Sequence, residues 1–389
     1  MSQVNWSFFA GQSLAVGLQS TPPLSSDPLV STWTKKIDTD GSLASLINEV
    51  AGQQPARTTG PTAEVVGRIQ AWNTHALGGS TYAQLKKGTT TYNDAISRAT
   101  AGYNYAIANG NTFITDAVHI IHGEANSGGT SKATYAGYLS EWLSDFNTDI
   151  KAITGQSKNM VALICQLSAT DEVGWGQLLA TQNNSNIYMV APKYQLPKID
   201  GLHLTNQGSW WLGEYHGRVH KKVVVDGVAW KPVSPRSITQ VSSRKIQVRF
   251  HVPTPPLQFS TIHMATQSQQ GFTYLDDASS PSNLNVSVAI ISSDTVEITV
   301  PRDISTNPRI SYGTGNLCDS DPYVSTYDGT PLPNWAVKFR EYVGFSYDPD
   351  PVTPPSASTL TDTNGNAVVE WQKVNGVAVA LTDSTRTTP

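Results

Sequence analysis

Charge and cysteine are both scarce in this chain. Of its 389 residues only 14% are Lys, Arg, Asp or Glu, and the formal net charge is −4. A phosphate backbone is bound by a field of basic side chains, so a nucleic-acid partner is not expected. The two cysteines are Cys165, inside an apolar run, and Cys318, in a polar stretch. Neither has a second cysteine or a metal-type spacing beside it, so both read as free thiols and no disulfide framework is expected. Long hydrophobic runs are missing too. No apolar stretch approaches the roughly 20 residues that cross a bilayer, so membrane insertion is not expected. The opening Met1-Ser2-Gln3-Val4-Asn5-Trp6 has no basic stretch followed by an apolar one, and no signal peptide is visible there.

Hydrophobic periodicity divides what remains into three parts. In residues 1–222 short apolar runs alternate with helical patterns, the arrangement of an α/β region with a parallel sheet flanked by helices. Strands are predicted over 4–10, 117–121, 160–167 and 187–191. Between two of them, Tyr135, Tyr138, Leu139, Trp142, Leu143, Phe146 and Ile150 recur at three- and four-residue steps, which predicts a helix with one buried stripe. Ser131 is its expected cap and Gly155 its expected end. Residues 223–346 carry short β-rich runs, among them 245–252, 286–291 and 295–300, and predict an antiparallel β-sandwich. Residues 347–389 read as an extended linker, rich in Pro, Asp, Ser and Thr, followed by a short C-terminal β-hairpin around Asn375-Gly376.

Chemistry is suggested at both ends of the α/β region. The first predicted strand runs into Gly11-Gln12-Ser13-Leu14, which puts Ser13 at a strand's C-terminal end, where open α/β sheets bind ligands. The region closes with Asp200-Gly201-Leu202-His203, just before a helix expected to begin near Thr205. An Asp three residues ahead of a His can hold one imidazole nitrogen and leave the other facing a serine. Taken alone, the same pair could simply cap that helix.

Together these two segments, in the order Ser, Asp, His, resemble the first and last sequence blocks of the SGNH (GDSL-type) hydrolases. Phe8-Phe9-Ala10-Gly11-Gln12-Ser13, Gly60-Pro61, Ile121-His122-Gly123-Glu124-Ala125-Asn126 and residues 200–208 look more narrowly like the sialate O-acetylesterase and carbohydrate acetylesterase branch. The likeness spans about residues 4–222. It implies an SGNH-type fold and a catalytic triad of Ser13, Asp200 and His203 that removes an acyl group, acetyl above all, from a carbohydrate through an acyl-enzyme. No cofactor is implied. The implied oxyanion hole comprises the N–H of Ser13, the N–H of Gly60, and a side chain from the third block. Here the sequence departs from the branch, which places Gln-Gly-Glu where this chain has His122-Gly123-Glu124. His122 and Asn126 are therefore rival donors, with Asn126 favoured because its amide donates at any pH.

A metal site is not expected. His119 and His122 would point to opposite faces of one strand. His216 and His220 share a helical face, but the sequence puts no third ligand near them. Trp210 and Trp211 are expected to pack in the core, and Trp175, between Gly174 and Gly176, to sit at the cleft rim.

Two other functions compete with the esterase. One is a lipid or simple-ester esterase, which would need an exposed apolar mouth that the sequence does not reveal. The other is a virion-tail or cell-surface binding module that keeps the fold. Low charge, ten Trp and fifteen Tyr resemble proteins acting on sugars outside cells, and the β-rich second half resembles phage tail-spike esterases. That resemblance implies a possible homo-trimer and a virion location, against cytoplasmic or non-classically secreted alternatives.

Overall fold

A computed structural model describes residues 2–21, 24, 28–278 and 284–347, together with the strands 371–374 and 377–380. Two compact units result, residues 1–346 and 347–389.

The first unit is built on a seven-stranded sheet. Its strands are β1 (Gln3–Gly11), β2 (Thr34–Ile37), β3 (Leu43–Ser45), β4 (Ile69–Ala76), β5 (Thr112–Ile121), β6 (Val161–Gln166) and β7 (Ile187–Pro192). Their order is β3-β2-β4-β1-β5-β6-β7. All neighbours run parallel except β3, which returns antiparallel along β2. The crossovers carry α1 (Ser13–Val16), α2 (Ala56–Thr62), α3 (Thr90–Ala108), α4 (Lys132–Thr154) and α5 (Glu172–Asn183), and α6 (Asn206–His220) follows β7.

Alternation along β1 sorts the core into two layers. Trp6 and Phe8 face α3 and α4, with Phe8 edge-on to Phe146 at 5.0 Å between ring centroids. Phe9 faces the other side, among Trp211, Leu212 and Tyr215 of α6. Truncating so deeply buried a ring as Phe8 to alanine would cost about 3–5 kcal/mol. Helix α4 follows its predicted stripe, with Ser131 Oγ accepting from Thr134 N at 3.2 Å and Gly155 at φ 68° ending it.

Residues 223–346 form antiparallel sheets, as predicted. One contains β8 (Ser234–Gln240), β9 (Lys245–His251), β12 (Ser287–Ile290) and β13 (Thr295–Thr299), in the order β12-β13-β9-β8. Another contains β11 (Phe272–Leu275), β14 (Arg309–Tyr312) and β16 (Phe339–Tyr342), while β10 (Gln258–Phe259) pairs with β15 (Leu317–Cys318). Ile246, Val248 and Ile298 of the first sheet and Phe272, Tyr312 and Phe339 of the second belong to one core, which continues to Phe8 and Phe146 of the α/β region. Both cysteines are free and buried.

In the second unit β17 (Trp371–Val374) pairs antiparallel with β18 (Val377–Ala380), a hairpin at the place the sequence suggests. The linker expected over 348–363 and the Asn375-Gly376 turn lie outside the described residues.

Candidate active site

The C-terminal edge of the sheet gathers the predicted residues. Strand β1 ends at Gly11, whose φ of +143° and close approach to β5 exclude a side chain: a Cβ there would lie 2.0 Å from Ile121 O. This turn delivers Ser13 as the first residue of α1, where its N–H has no intrahelical acceptor. Ser13 is 7% exposed.

Asp200 and His203 reach it from a loop whose base is closed by Thr205 N donating to Pro197 O at 3.0 Å and Ile199 N donating to His203 O at 2.9 Å. Lys198 Nζ donates to the carbonyls of Lys193, Tyr194 and Leu196 and ties this base to the end of β7. Within the loop, Asp200 Oδ1 accepts from Leu202 N at 3.0 Å and His203 N at 2.7 Å, and Gly201 at φ +81° allows the tight turn. The other carboxylate oxygen, Oδ2, lies 2.7 Å from His203 Nδ1. These hydrogen bonds, the His203 side-chain one foremost, draw the Asp200 carboxyl down to about 2. Since an ionised carboxylate only accepts, Nδ1 carries the proton and Nε2 presents its lone pair. His203 Nε2 is 3.1 Å from Ser13 Oγ. Helix α6 is capped instead by Thr205, whose hydroxyl accepts from Gly208 N at 3.0 Å, so Asp200 and His203 are free of that duty.

The structure moves the expected oxyanion glycine. Gly60 lies buried in α2, where a Cβ would press on Thr34, Leu46 and Trp72. Trp72 pairs with Ser7, whereas the strand edge lies where Ala76 pairs with Gly11, four residues or roughly 13 Å further on. Gly60 thus packs over the middle of the sheet. The glycine at the site is Gly78: a Cβ there would lie 3.9 Å from Ser13 Cβ. It follows β4 directly, in a loop begun by Leu77 N donating to Gly11 O at 3.1 Å. Among the described residues its N–H has no acceptor.

Of the two rival side chains, His122 is engaged elsewhere. Its Nε2 lies 3.0 Å from Ser80 O, which can only accept, so Nε2 holds the proton and Nδ1 accepts from Tyr135 OH at 2.7 Å. Burial pushes its pKa down to about 4, leaving the ring neutral with both nitrogens committed. His122 is therefore withdrawn as a donor. Asn126 is partly exposed on the 3₁₀ turn Glu124–Asn126, which leans on the turn that carries Ser13 through Ala125 N donating to Gln12 Oε1 at 3.2 Å. Its Oδ1 accepts from Tyr82 N at 2.9 Å, and one amide hydrogen goes to Thr130 Oγ1 at 3.2 Å. A second hydrogen remains on that amide.

Beneath this turn Glu124 pairs with Lys193, and both are buried. Burial raises the Glu124 carboxyl, but the adjacent ammonium outweighs it and holds the carboxyl below its ordinary range. The pair ties the turn to the end of β7. Nothing in residue type alone joins Glu124 to Lys193, because 69 positions separate them.

Three further expectations are corrected or refined. His119 and His122 do face opposite sides, yet His119 supplies the third histidine beside His216 and His220. Its Nδ1 is 2.9 Å from His216 Nδ1 and its Nε2 is 3.2 Å from His220 Nδ1. Opposite edges of one imidazole serve the two contacts, so the three rings do not converge on one ion, and among the described residues no His, Cys, Asp or Glu group is arranged to hold a metal. Trp175 is not an open rim residue, since the Arg340 guanidinium sits 5.3 Å over its ring. Trp211 is buried as expected, while Trp210 packs on Tyr327. Apolar side chains do flank the site: Leu77 is 52% exposed, Ile199 51% and Leu202 40%.

The sheet order, the serine at the end of the central strand and the Asp-His loop after β7 define an SGNH-type α/β fold followed by a β-rich region. No family model and no curated protein matches the chain. Among solved structures, XAC1771, a carbohydrate acetylesterase from Xanthomonas citri, is similar with a TM-score of 0.59 and 14% identity, over 86% of this chain and 80% of that one. A protein from Arabidopsis thaliana aligns with a TM-score of 0.45 and 16% identity, over 56% of this chain and 97% of its own. At 14% identity the likeness to XAC1771 is one of fold.

Proposed function

We propose that this chain is a serine esterase that removes O-acetyl groups from a carbohydrate or polysaccharide. The observation that carries the reading is the continuous line from Asp200 Oδ2 through His203 to Ser13 Oγ, with contacts of 2.7 and 3.1 Å. The fold shared with XAC1771, named a carbohydrate acetylesterase, supports the substrate class.

In this reading His203 Nε2 takes the Ser13 hydroxyl proton as Oγ attacks the acetyl carbonyl. Charge grows on the carbonyl oxygen, which faces Ser13 N–H, Gly78 N–H and the Asn126 amide. The imidazolium, held by Asp200, returns its proton to the departing sugar oxygen. Water, deprotonated by the same nitrogen, then cleaves acetyl-Ser13 to acetate and the free serine. Acetate release from acetylated bacterial and plant polysaccharides tests the proposal, with Ser13→Ala as control. A phosphonate adduct on any residue but Ser13, or full activity in Ser13→Ala, would overturn it.

The exposed Leu77, Ile199 and Leu202 favour a second reading, an esterase for more apolar acyl groups. Rates on aryl esters of increasing chain length separate the two: the acetylesterase is fastest on acetate and declines steadily beyond it.

A further inference from the structure

The C-terminal ends of β2 and β4 open onto a cleft of about 520 Å³. Small-molecule sites commonly span about 300–1,000 Å³. Thr74 and His75 of β4 form one wall, Asp94, Ser97 and Arg98 of α3 form the facing one, and Thr39 and Glu49 come from the turns after β2 and β3. The three α3 residues share one helical face, being three and four positions apart. The cleft lies on the same sheet edge as Ser13. His75 precedes Ala76, Ala76 pairs with Gly11, and Gly11 lies two residues before Ser13. Summing one Cα step, one strand spacing and two extended residues leaves at most about 16 Å between the Cα atoms of His75 and Ser13.

The walls are chemically mixed. Glu49 and Asp94 accept hydrogen bonds and Arg98 donates them, one of its nitrogens already bonding Ile37 O at 2.8 Å. His75 Nε2 is buried with no hydrogen-bond partner among the described residues. Orphaned polar atoms of this kind are uncommon in native interiors and ask for a partner. Burial, and then the Arg98 charge, push the His75 pKa down to about 3, so the ring is neutral and its nitrogen can meet a group that both donates and accepts. A hydroxyl does both. Two carboxylates against one guanidinium disfavour an anionic ligand, and no Phe, Tyr or Trp ring among the lining residues offers a stacking face for a planar one.

We propose that this cleft is a subsite for a neutral, hydroxyl-rich sugar residue of the polymer whose acetyl group is presented to Ser13. Its link to turnover rests on the esterase reading, whereas its binding does not. Full-length Ser13→Ala protein is applied to an array of neutral, amino-sugar and uronic-acid glycans, beside two double variants. Ser97→Trp fills the cleft from an exposed helix position, and Asp94→Ala removes an acceptor. Binding to neutral glycans is expected to fall at least tenfold in each double variant. Binding of uronic-acid glycans only, binding unaffected by Ser97→Trp, or no binding to any glycan would overturn the subsite. If instead Ser13→Ala retains esterase activity while cleft-dependent binding persists, the esterase reading falls and the subsite stands.

Discussion

At the scale of single residues, the site depends on which nitrogen of His203 carries the proton. Asp200 fixes this with one carboxylate oxygen while its other oxygen shapes the turn. Asp200→Asn preserves the size of the side chain but can present an N–H to Nδ1, which would favour the wrong tautomer. Turnover is expected to drop by about three to four orders of magnitude with a nearly unchanged Michaelis constant, as read from kinetics on an aryl acetate. The Asn126 amide supplies a second test. An oxyanion donor strengthens only as charge develops, so Asn126→Ala is expected to lower turnover about a hundredfold or more while binding is preserved. His122→Phe should act differently. It leaves Ser80 O and Tyr135 OH without their partner, so it is expected to lower the unfolding temperature more than it lowers turnover per folded molecule, measured by thermal melts beside active-site titration. The reverse ranking would return His122 to the oxyanion hole.

At the scale of elements, the sequence is most readable where burial is continuous. Residues 4–10, 160–167 and 187–191 are largely apolar because both faces of a parallel strand are covered, whether it is central like β1 or at the edge like β7, and their strands lie where the runs do. Strand β4 escaped for the opposite reason. Gln70, Asn73, Thr74 and His75 give it a polar look, although Asn73 is buried and its amide is spent on Trp6 Nε1 and on both backbone groups of Ile37. Gly78 is marked in the sequence only by following that strand, whereas the resemblance, through the Gly60-Pro61 step, points to Gly60. The histidines of β5 and α6 escaped in the same way, since only the fold brings His119 between His216 and His220. Burial, as the largest cause, draws His216 and His220 down to about 3 and His119 well below its ordinary value. In the unfolded chain these imidazoles take protons near pH 6.5. Between about pH 6.5 and 3 the unfolded state therefore binds more protons, and stability falls as pH falls through that window. Thermal melts from pH 8 to 4 are expected to show the unfolding temperature declining from about pH 6 downward. A flat profile between pH 7 and 5 would mean that the cluster is not kept neutral.

At the scale of the whole first unit, the question is whether the α/β region can stand without the β-rich one. Gln166, at the end of β6, exchanges hydrogen bonds with the backbone of Lys338 at 2.7 and 2.9 Å, and the buried Lys338 ammonium donates to the carbonyls of Leu167 and Ala169. Burial draws that ammonium down to about 7. Tyr194 OH lies 2.7 Å from Ala336 O, Tyr215 OH lies 2.7 Å from Pro333 O, and Arg218 pairs with Asp321. Removing residues 223–346 would strip partners from each of these groups, and a buried polar group left unpaired costs about 1–3 kcal/mol. The apolar core shared by the two regions would be opened to water at the same time. A few such losses equal the whole stability of an ordinary domain, about 5–15 kcal/mol. A chain ending at residue 222 is therefore expected to lack a cooperative thermal transition and to lose hydrolysis of a small aryl acetate along with polymer activity. The measurements are circular dichroism melts and initial rates on the truncated and full-length chains. A truncated chain that melts cooperatively and hydrolyses the aryl acetate at the full-length rate would show that the β-rich region contributes to the substrate alone.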